Sequence, residues 1–360
     1  MEKRIRIKDI AEKAGVSTGT VDRVIHRRGN VSKKVEEKVR RVMKELNYKP
    51  NIIASTLAYN RTYRIATLLP DYRSDPYWEQ PRLGVDRAFD TLQHYNMVWE
   101  PHYFHLNRPA DFKAKAEKIL NMRPDAVLLA PVFLREGLWL IDRCRQAGIP
   151  TVKINTDIDE DHSLCYVGQD SYQSGVLAGK LLSFFLGKAE LAMILNLDKE
   201  TTSAQHLIDK ERGIRDYFSR IYDRQEKVIK SEFADFDQPK RMCDFLMEKL
   251  DAFPQLKGIF VTNSRSYKVL ECLSPEMAGE LRIVGFDLLN QNLRYLRENR
   301  IAFLINQNPV QQGYQGIMNL YTHLVRKEEV EPIQYLPLDI VVTENVDYYL
   351  KREEEFQVVV

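Results

Sequence analysis

The stretch "IAEKAGVSTGTVDRVIH", residues 10–26, decides how the rest of the chain is read. An alanine-rich run meets Gly15-Val16, a serine opens a second apolar run, and the segment ends on Arg23 and His26. Extended back to Ile7, the first run sets Ile7, Ile10, Ala11 and Ala14 on one face, which predicts a helix over Ile7–Ala14. Gly15 suits the left-handed conformation that ends a helix, and Val16 is an apolar plug between crossing helices. Ser17 stands at an N-cap position, where its hydroxyl satisfies early backbone N–H groups. A second helix, Thr18–Ile25, turns Val21, Val24 and Ile25 inward and leaves Thr18, Gly19, Asp22, Arg23 and His26 outward. After the loop "HRRGN", Ser32 caps a third helix, Lys33–Leu46, whose apolar stripe is Val35, Val39, Val42 and Leu46.

Two short helices joined by a glycine turn and braced by a third form the helix-turn-helix arrangement. Its exposed second helix fits a DNA major groove, with its N-terminal residues nearest the bases. Thr18 and Gly19 are small enough for close approach. Arg23 is the candidate for direct readout, because its fork can bond guanine O6 and N7 together. Ser17, Thr20, Asn30 and Ser32 are candidates for phosphate contacts. The residues leave two alternatives open: a surface ion pair for Arg23 and a pure helix cap for Ser17.

Charge supports a polyanion partner for this part alone. The chain has 360 residues and a net charge of +2. Residues 1–61 hold 16 Lys and Arg against 7 Asp and Glu, a balance of +9, so the remainder carries −7. The composition, 44% hydrophobic and 29% charged, suits a globular protein of two or three domains. No apolar run is long enough to span a bilayer, and "MEKRIRIKDIAEK" lacks the apolar core of a signal peptide, so a cytoplasmic location is expected. Cys144, Cys165, Cys243 and Cys272 form no CxxC pair, and four reduced thiols are expected, with no metal site.

The segments "IKDIAEKAGVSTGTVDRVI" and "NVSKKVEEKVRRVMKELNYKPNIIASTLA" resemble the DNA-binding head of the lactose-repressor (LacI/GalR) family. Asp9, Ala11, Ala14, Gly15, Val16, Ser17, Thr20, Val21, Arg23, Val24, Asn47, Tyr48, Pro50, Ala54 and Leu57 are among the residues that carry the resemblance. It implies a head over 1–49 and a hinge helix with linker over 50–62. Ala54 and Leu57 would then contact the minor groove, Leu57 as a wedge that unstacks and bends the site. The sequence departs from the family at Asp22, which replaces a usual serine, and at Arg6, where a Ser or Thr often caps the first helix.

From Arg64 onward, short apolar strands alternate with amphipathic helices. "RIATLLP", "MVWEPHYF", "DAVLLAP", "TVKIN", "AELAMIL", "KVIKSEF", "GIFVTN" and "RIVGFD" read as strands, with helices such as Ala110–Asn121 and Tyr172–Phe185 between them. The predicted fold class is α/β: a small all-α helix-turn-helix head, then parallel sheets with helices on both faces. Ligands of such sheets sit beyond the carboxyl ends of the strands. Neither GxGxxG nor GxxxxGK[ST] occurs, so a nucleotide reading lacks its phosphate loop and no cofactor is expected.

This order resembles the two-lobed periplasmic-binding-protein-like fold (type I) that follows the head in the same family. "DPYW", "VGQDSYQSGVLAGKLL", "KERGIRDYF", "FVTN", "VGFD" and "INQNPVQQG" carry the resemblance. It implies an N-lobe of 63–168 with 302–330, a C-lobe of 169–301 with 331–350, and a tail of 351–360, the lobes being linked by three crossovers. It also implies a small-molecule effector, a sugar or sugar acid or phosphate, in the cleft. Tyr77 and Trp78 offer stacking surfaces, Asp170 and Asp287 offer carboxylates, and Asn155, Asp157, Asn263 and Gln307 offer further hydrogen bonds. Many family members grip the effector with an arginine where this chain has Lys210; either Lys210 keeps that contact in weaker form, or Arg212 or His206 substitutes. An acidic or phosphorylated sugar would fit if Lys210, Arg135 and His206 all faced the cleft.

Together these residues imply a DNA-binding transcriptional regulator, most simply a repressor. The resemblance implies a homodimer on near-palindromic operator DNA, switched by the effector, with no membrane partner and no enzymatic activity. The tail "YYLKREEEFQVVV" has no leucine heptad, which argues against a tetramer. A sugar-binding transport receptor and a sugar-acting enzyme are the alternatives on the same cleft.

Overall fold

The computed structural model describes residues 6–25, 31–46, 61–158, 162–198, 205–222 and 227–351. Asn30, Ala54, Leu57 and the hinge segment up to residue 60 lie outside the described residues, as does the tail after residue 351. The chain divides into two compact units at residues 61 and 62.

In the first unit, α1 (Ile7–Ala14), α2 (Thr18–Ile25) and α3 (Lys33–Glu45) close on a small core of Ile10, Ala11, Ala14, Val21, Val24, Val39 and Val42. Gly15 takes φ 61°, and the Val16 N–H donates to the Ala11 carbonyl at 3.0 Å, which seals the end of α1. Arginine has no acceptor to offer as an N-cap, and the start of α1 is held from the other side: the Arg6 backbone N–H donates to Asp9 Oδ2 at 2.7 Å. Ser17 does cap α2, accepting the Thr20 N–H at 3.1 Å. Ser32 departs from expectation. It occupies the N-cap position of α3, but its side chain makes no cap bond, and its backbone carbonyl accepts from Val35 and Glu36 instead.

The second unit holds two six-stranded sheets, ordered β11-β5-β4-β3-β1-β2 and β12-β10-β9-β8-β6-β7. The strands of the first sheet are β1 (Tyr63–Pro70), β2 (Met97–Phe104), β3 (Ala126–Leu129), β4 (Thr151–Ile154), β5 (Cys165–Gly168) and β11 (Ile333–Tyr335). Those of the second are β6 (Leu191–Asn196), β7 (Val228–Glu232), β8 (Leu256–Val261), β9 (Arg282–Phe286), β10 (Phe303–Asn306) and β12 (Asp339–Val341). All pairings are parallel except β10 with β12, an antiparallel edge the sequence pattern does not signal. β5, β10, β11 and β12 are absent from the strands predicted above; β11 and β12, of three residues each, are too short to establish a period.

Helices cover both faces of each sheet. In the first lobe, α4 (Glu79–Thr91) and α13 (Pro309–Tyr321) bury Val85, Ala88, Ile317 and Leu320 on one face, while α5 (Pro109–Met122) and α6 (Leu134–Gln146) bury Phe112, Ile119, Leu140 and Ile141 on the other. In the second, α7 (Ser171–Ser183) and α8 (Gln205–Tyr222) pack Leu182, Ile214 and Phe218 against one face. The opposite face carries α9 (Pro239–Ala252), α10 (Ser266–Leu270), α11 (Pro275–Glu280) and α12 (Asn290–Arg297), with Met242, Leu246, Val269 and Leu293 in the core. α7 and α8 approach so closely that a Cβ on Gly175 would overlap the Lys210 carbonyl oxygen, and one on Gly213 would overlap that of Tyr172. Gly84 and Gly313 do the same for α4 and α13.

Two sequence-based expectations need correction. Residues 303–306 were expected in the N-lobe and 333–335 in the C-lobe, but β10 pairs with β9 and β11 pairs with β5. The second and third crossovers therefore follow β10 and β11, just before α13 and β12. The four cysteines are also not all thiols. Cys243 in α9 and Cys272 after α10 form a disulfide, with Cα atoms 4.9 Å apart, because both helices pack on one face of the second sheet. Cys144 and Cys165 are buried free thiols, and burial pushes each up to about 12.

Candidate functional site

The first unit presents α2 as an outward face. Thr18, Gly19 and Arg23 are exposed, Thr20 and Asp22 partly so, while Val21 and Val24 are buried beneath. Ser17 Oγ lies 2.9 Å from Thr20 Oγ1, so these hydroxyls hold each other at the start of the helix. The face is pre-formed by the core below it and by the Gly15 turn.

In the second unit, the carboxyl ends of the strands of both sheets surround a cavity of about 110 Å³. One water needs on the order of 10–15 Å³ in this measure, so the space fits several waters or one small molecule. Tyr77, Trp78, Asn155, His206, Lys210, Asn263, Asp287 and Gln307 all line it, as do Asp75, Gln169, Asp198, Thr262, Ser264 and Arg265. Asp157 and Asp170 do not. Asp157 accepts a 2.7 Å bond from Lys153 Nζ, and Asp170 caps α7 by accepting the Gln173 N–H at 2.9 Å. Arg135 is exposed and outside the lining, and Arg212 pairs with Asp209 at 3.2 Å on the surface.

Local backbone geometry aims two of these side chains. Asn155, following β4, has φ 68°, and Asp287, following β9, has φ 63°. Left-handed backbone at a non-glycine position is best tolerated by Asn and Asp. Asn155 Nδ2 donates to the Tyr77 hydroxyl at 2.6 Å, and Tyr77 meets Trp78 edge to face at 5.1 Å, so both rings are buried as a fixed wall. Buried Asn292 holds the opposite loops, donating from Nδ2 to the carbonyls of Ser264, Phe286 and Asp287. The amide of Asn263 is engaged within its own loop. Its Nδ2 donates to the Leu197 carbonyl at 2.9 Å and its Oδ1 accepts the Arg265 N–H at 3.2 Å.

A hydrogen-bonded chain runs through the crossovers into the cavity. Gln169, after β5, donates from Nε2 to Gln307 Oε1 at 2.8 Å, and Gln307, after β10, donates from Nε2 to Asp287 Oδ2 at 3.0 Å. Lys210 Nζ donates to the Thr262 carbonyl at 2.7 Å and stands 3.8 Å from the centre of the Phe286 ring. Burial lowers the Lys210 ammonium against the pull of Asp287, and burial raises the Asp287 carboxyl against its bonds to Gln307 and the charge of Lys210. Burial, then the Lys210 charge, lowers His206 to about 3, so its imidazole is neutral at pH 7. Among the described residues, Asp287 Oδ1, Gln169 Oε1 and His206 Nδ1 are buried with no hydrogen-bond partner.

Sequence reasoning passed over Asp75, Gln169 and Arg265, although each lies within or beside a quoted motif: "DPYW", "VGQDS" and the two residues after "FVTN". Among the described residues no group of His, Cys, Asp and Glu is arranged to hold a metal ion, and no helix is long and apolar enough to cross a membrane.

The pattern of bacterial regulatory proteins of the lacI family matches residues 6–51, and that of a periplasmic binding protein domain matches residues 65–328. The HTH-type transcriptional regulator MalR of Streptococcus pneumoniae is 44% identical over 297 residues, covering 80% of this chain and 85% of that protein. The ribose operon repressor of Halalkalibacterium halodurans is 27% identical over 290 residues, covering 78% of this chain and 80% of that one. Among solved structures, a putative LacI transcriptional regulator from Bacteroides fragilis superposes with a TM-score of 0.73 at 26% identity, over 80% of this chain and 100% of that one. The α2 face on a three-helix core, the cavity between two parallel-strand lobes and these matches converge: the chain is a DNA-binding transcriptional regulator and belongs to the lacI family of bacterial regulatory proteins.

Proposed function

We propose that this regulator is a repressor that acts in the cytoplasm as a homodimer on a near-palindromic operator, and that a small neutral sugar in the cavity sets its operator affinity. The carrying observation is the set of three buried polar atoms without partners, Asp287 Oδ1, Gln169 Oε1 and His206 Nδ1, around a cavity with an aromatic wall of Tyr77 and Trp78. Buried polar atoms are rarely left unpaired, and each one costs about 1–3 kcal/mol until a partner arrives. A polyol supplies hydroxyls to all three, and its apolar ring face suits the aromatic wall. The acidic or phosphorylated sugar weighed above loses its support, since Arg135 lies outside the lining, His206 is neutral and Lys210 is engaged. The names of relatives such as the ribose operon repressor agree with a sugar effector.

Thermal melting of the full chain with neutral sugars, sugar acids and sugar phosphates tests this reading. A neutral sugar should raise the melting temperature by mass action. Stabilisation by acids or phosphates alone would overturn it. Selection of bound DNA should return half-sites about one helical turn apart, and Arg23→Ala should weaken specific binding by about 1–3 kcal/mol. Equal loss on random DNA would reduce Arg23 to a phosphate contact. The opposing shifts of Lys210 and Asp287 favour an enzyme on this cleft, and product formation from the bound sugar would establish that alternative.

A further inference from the structure

The cavity lining holds three carboxylates, Asp75, Asp198 and Asp287, and two cations, Lys210 and Arg265. Lys210 is committed to the Thr262 carbonyl and the Phe286 face. Arg265 is held in a different way. Its backbone N–H donates to Asn263, its Nη1 donates to the Leu197 carbonyl at 3.1 Å, and its guanidinium carbon lies 4.7 Å from the centre of the Phe236 ring. These second-lobe contacts aim Nη2 across the cleft, where it donates to Asp75 Oδ2 of the first lobe. Asp75 is equally fixed, since its Oδ1 accepts the Tyr77 N–H at 3.1 Å at the head of the turn that carries the aromatic wall. The two side chains are 16% and 11% exposed, so the ion pair is largely withdrawn from water.

A guanidinium in a cavity wall is well suited to grip a carboxylate or phosphate, because its planar fork matches their geometry. Here both prongs are taken within the protein, Nη1 by the Leu197 carbonyl and Nη2 by the Asp75 carboxylate. An anionic ligand would have to displace Asp75 and then sit beside the displaced charge, and such repulsion is one way a site rejects a wrong ligand. A neutral polyol leaves the pair intact.

We infer that Asp75 is a specificity-determining residue for ligand charge: it masks Arg265, closes the cavity to sugar acids and sugar phosphates, and its neutralisation turns the cavity into an anion-accepting one. The inference rests on the sugar-effector reading for its biological meaning, but its test does not.

The test uses the full chain, with D-glucuronate and D-ribose 5-phosphate as anionic probes and D-glucose and D-ribose as neutral ones, each titrated calorimetrically. Asp75→Asn removes the charge and keeps an oxygen for the Tyr77 N–H, and Asp75→Ser does the same with a smaller side chain should the first variant fail to fold. The expected result is that an Asp75 variant binds at least one anion on the order of tenfold tighter than wild type, and that adding Arg265→Gln abolishes the gain. No gain in either variant, or a gain that survives Arg265→Gln, overturns the inference. The neutral probes report separately: if they and the wider neutral panel all fail on wild type, the sugar-effector reading falls while the anion comparison still decides the role of Asp75.

Discussion

At the scale of single residues, Asp287 joins the cavity to the crossovers, since one carboxylate oxygen bonds Gln307 and the other is buried without a partner. Asp287→Asn keeps a side chain that tolerates the left-handed backbone but removes the charge that faces Lys210. Calorimetric titration with the sugar that stabilises wild type should show a loss of about 1.5–3 kcal/mol, the range for hydrogen bonds to charged groups. His206 gives a pH dependence whose sign is fixed. Its imidazole is lowered from 6.5 to about 3, so the folded state resists a proton that the unfolded state accepts. The stability this contributes is complete above pH 6.5 and is lost as pH falls from there toward about 3. Urea unfolding at pH 4.5 and pH 7 should therefore differ less in His206→Gln than in wild type, by up to roughly 2 kcal/mol after discounting for solvent that reaches the ring. A difference identical to wild type would contradict it. Residue type, together with a place after a predicted strand in the motifs of the resemblance, pointed to Tyr77, Asn263 and Asp287. Asp75 and Arg265 stand 190 positions apart, and only closure of one lobe on the other gives their charges a shared meaning.

Elements were legible where a period had room to repeat. α1 and α2 match their predicted bounds, since caps and apolar spacing agree over two full turns. β11 and β12 are too short to show a period, and the Cys243–Cys272 disulfide has no spacing signal because it joins neighbouring helices rather than neighbouring residues. The contact of α7 with α8 makes its own prediction. Gly175→Ala would force its methyl against the Lys210 carbonyl, so α8 must shift and take the Lys210 ammonium from the Thr262 carbonyl. Overpacking of this kind costs about 1–3 kcal/mol. Thermal melts should show that loss, and sugar affinity should fall with it; unchanged affinity would separate Lys210 from the site. Asp170→Ala should behave in the opposite way. It removes the cap of α7 at a cost of about 1 kcal/mol and should leave sugar affinity as it was. A large affinity loss would return Asp170 to the site.

At the scale of the whole molecule, the lobes meet at the ends of their strands, and both sides of the Gln169–Gln307 bond belong to crossovers. A ligand that satisfies Gln169 Oε1 and Asp287 Oδ1 acts on segments that link the two lobes. Coupling between sugar and operator must then be reciprocal. If the sugar weakens operator binding by some factor, saturating operator should weaken sugar binding by the same factor, and titrations in both orders measure this; unequal factors would rule out a simple two-state switch. Parallel sheets were legible from alternating strands and helices and the two-lobed plan from the family resemblance, but the second and third crossovers were placed a few residues early, since the chain there moves between sheets within a few residues and without a change in composition.

The left-handed backbone at Asn155 and Asp287 has an evolutionary consequence. Each site couples chemistry to a conformation that few side chains tolerate, so both positions resist substitution whichever ligand is favoured. A lineage adapting this sensor to a new ligand would have to leave that pair alone and work through lining residues on ordinary backbone, such as Asp75, His206 and Arg265.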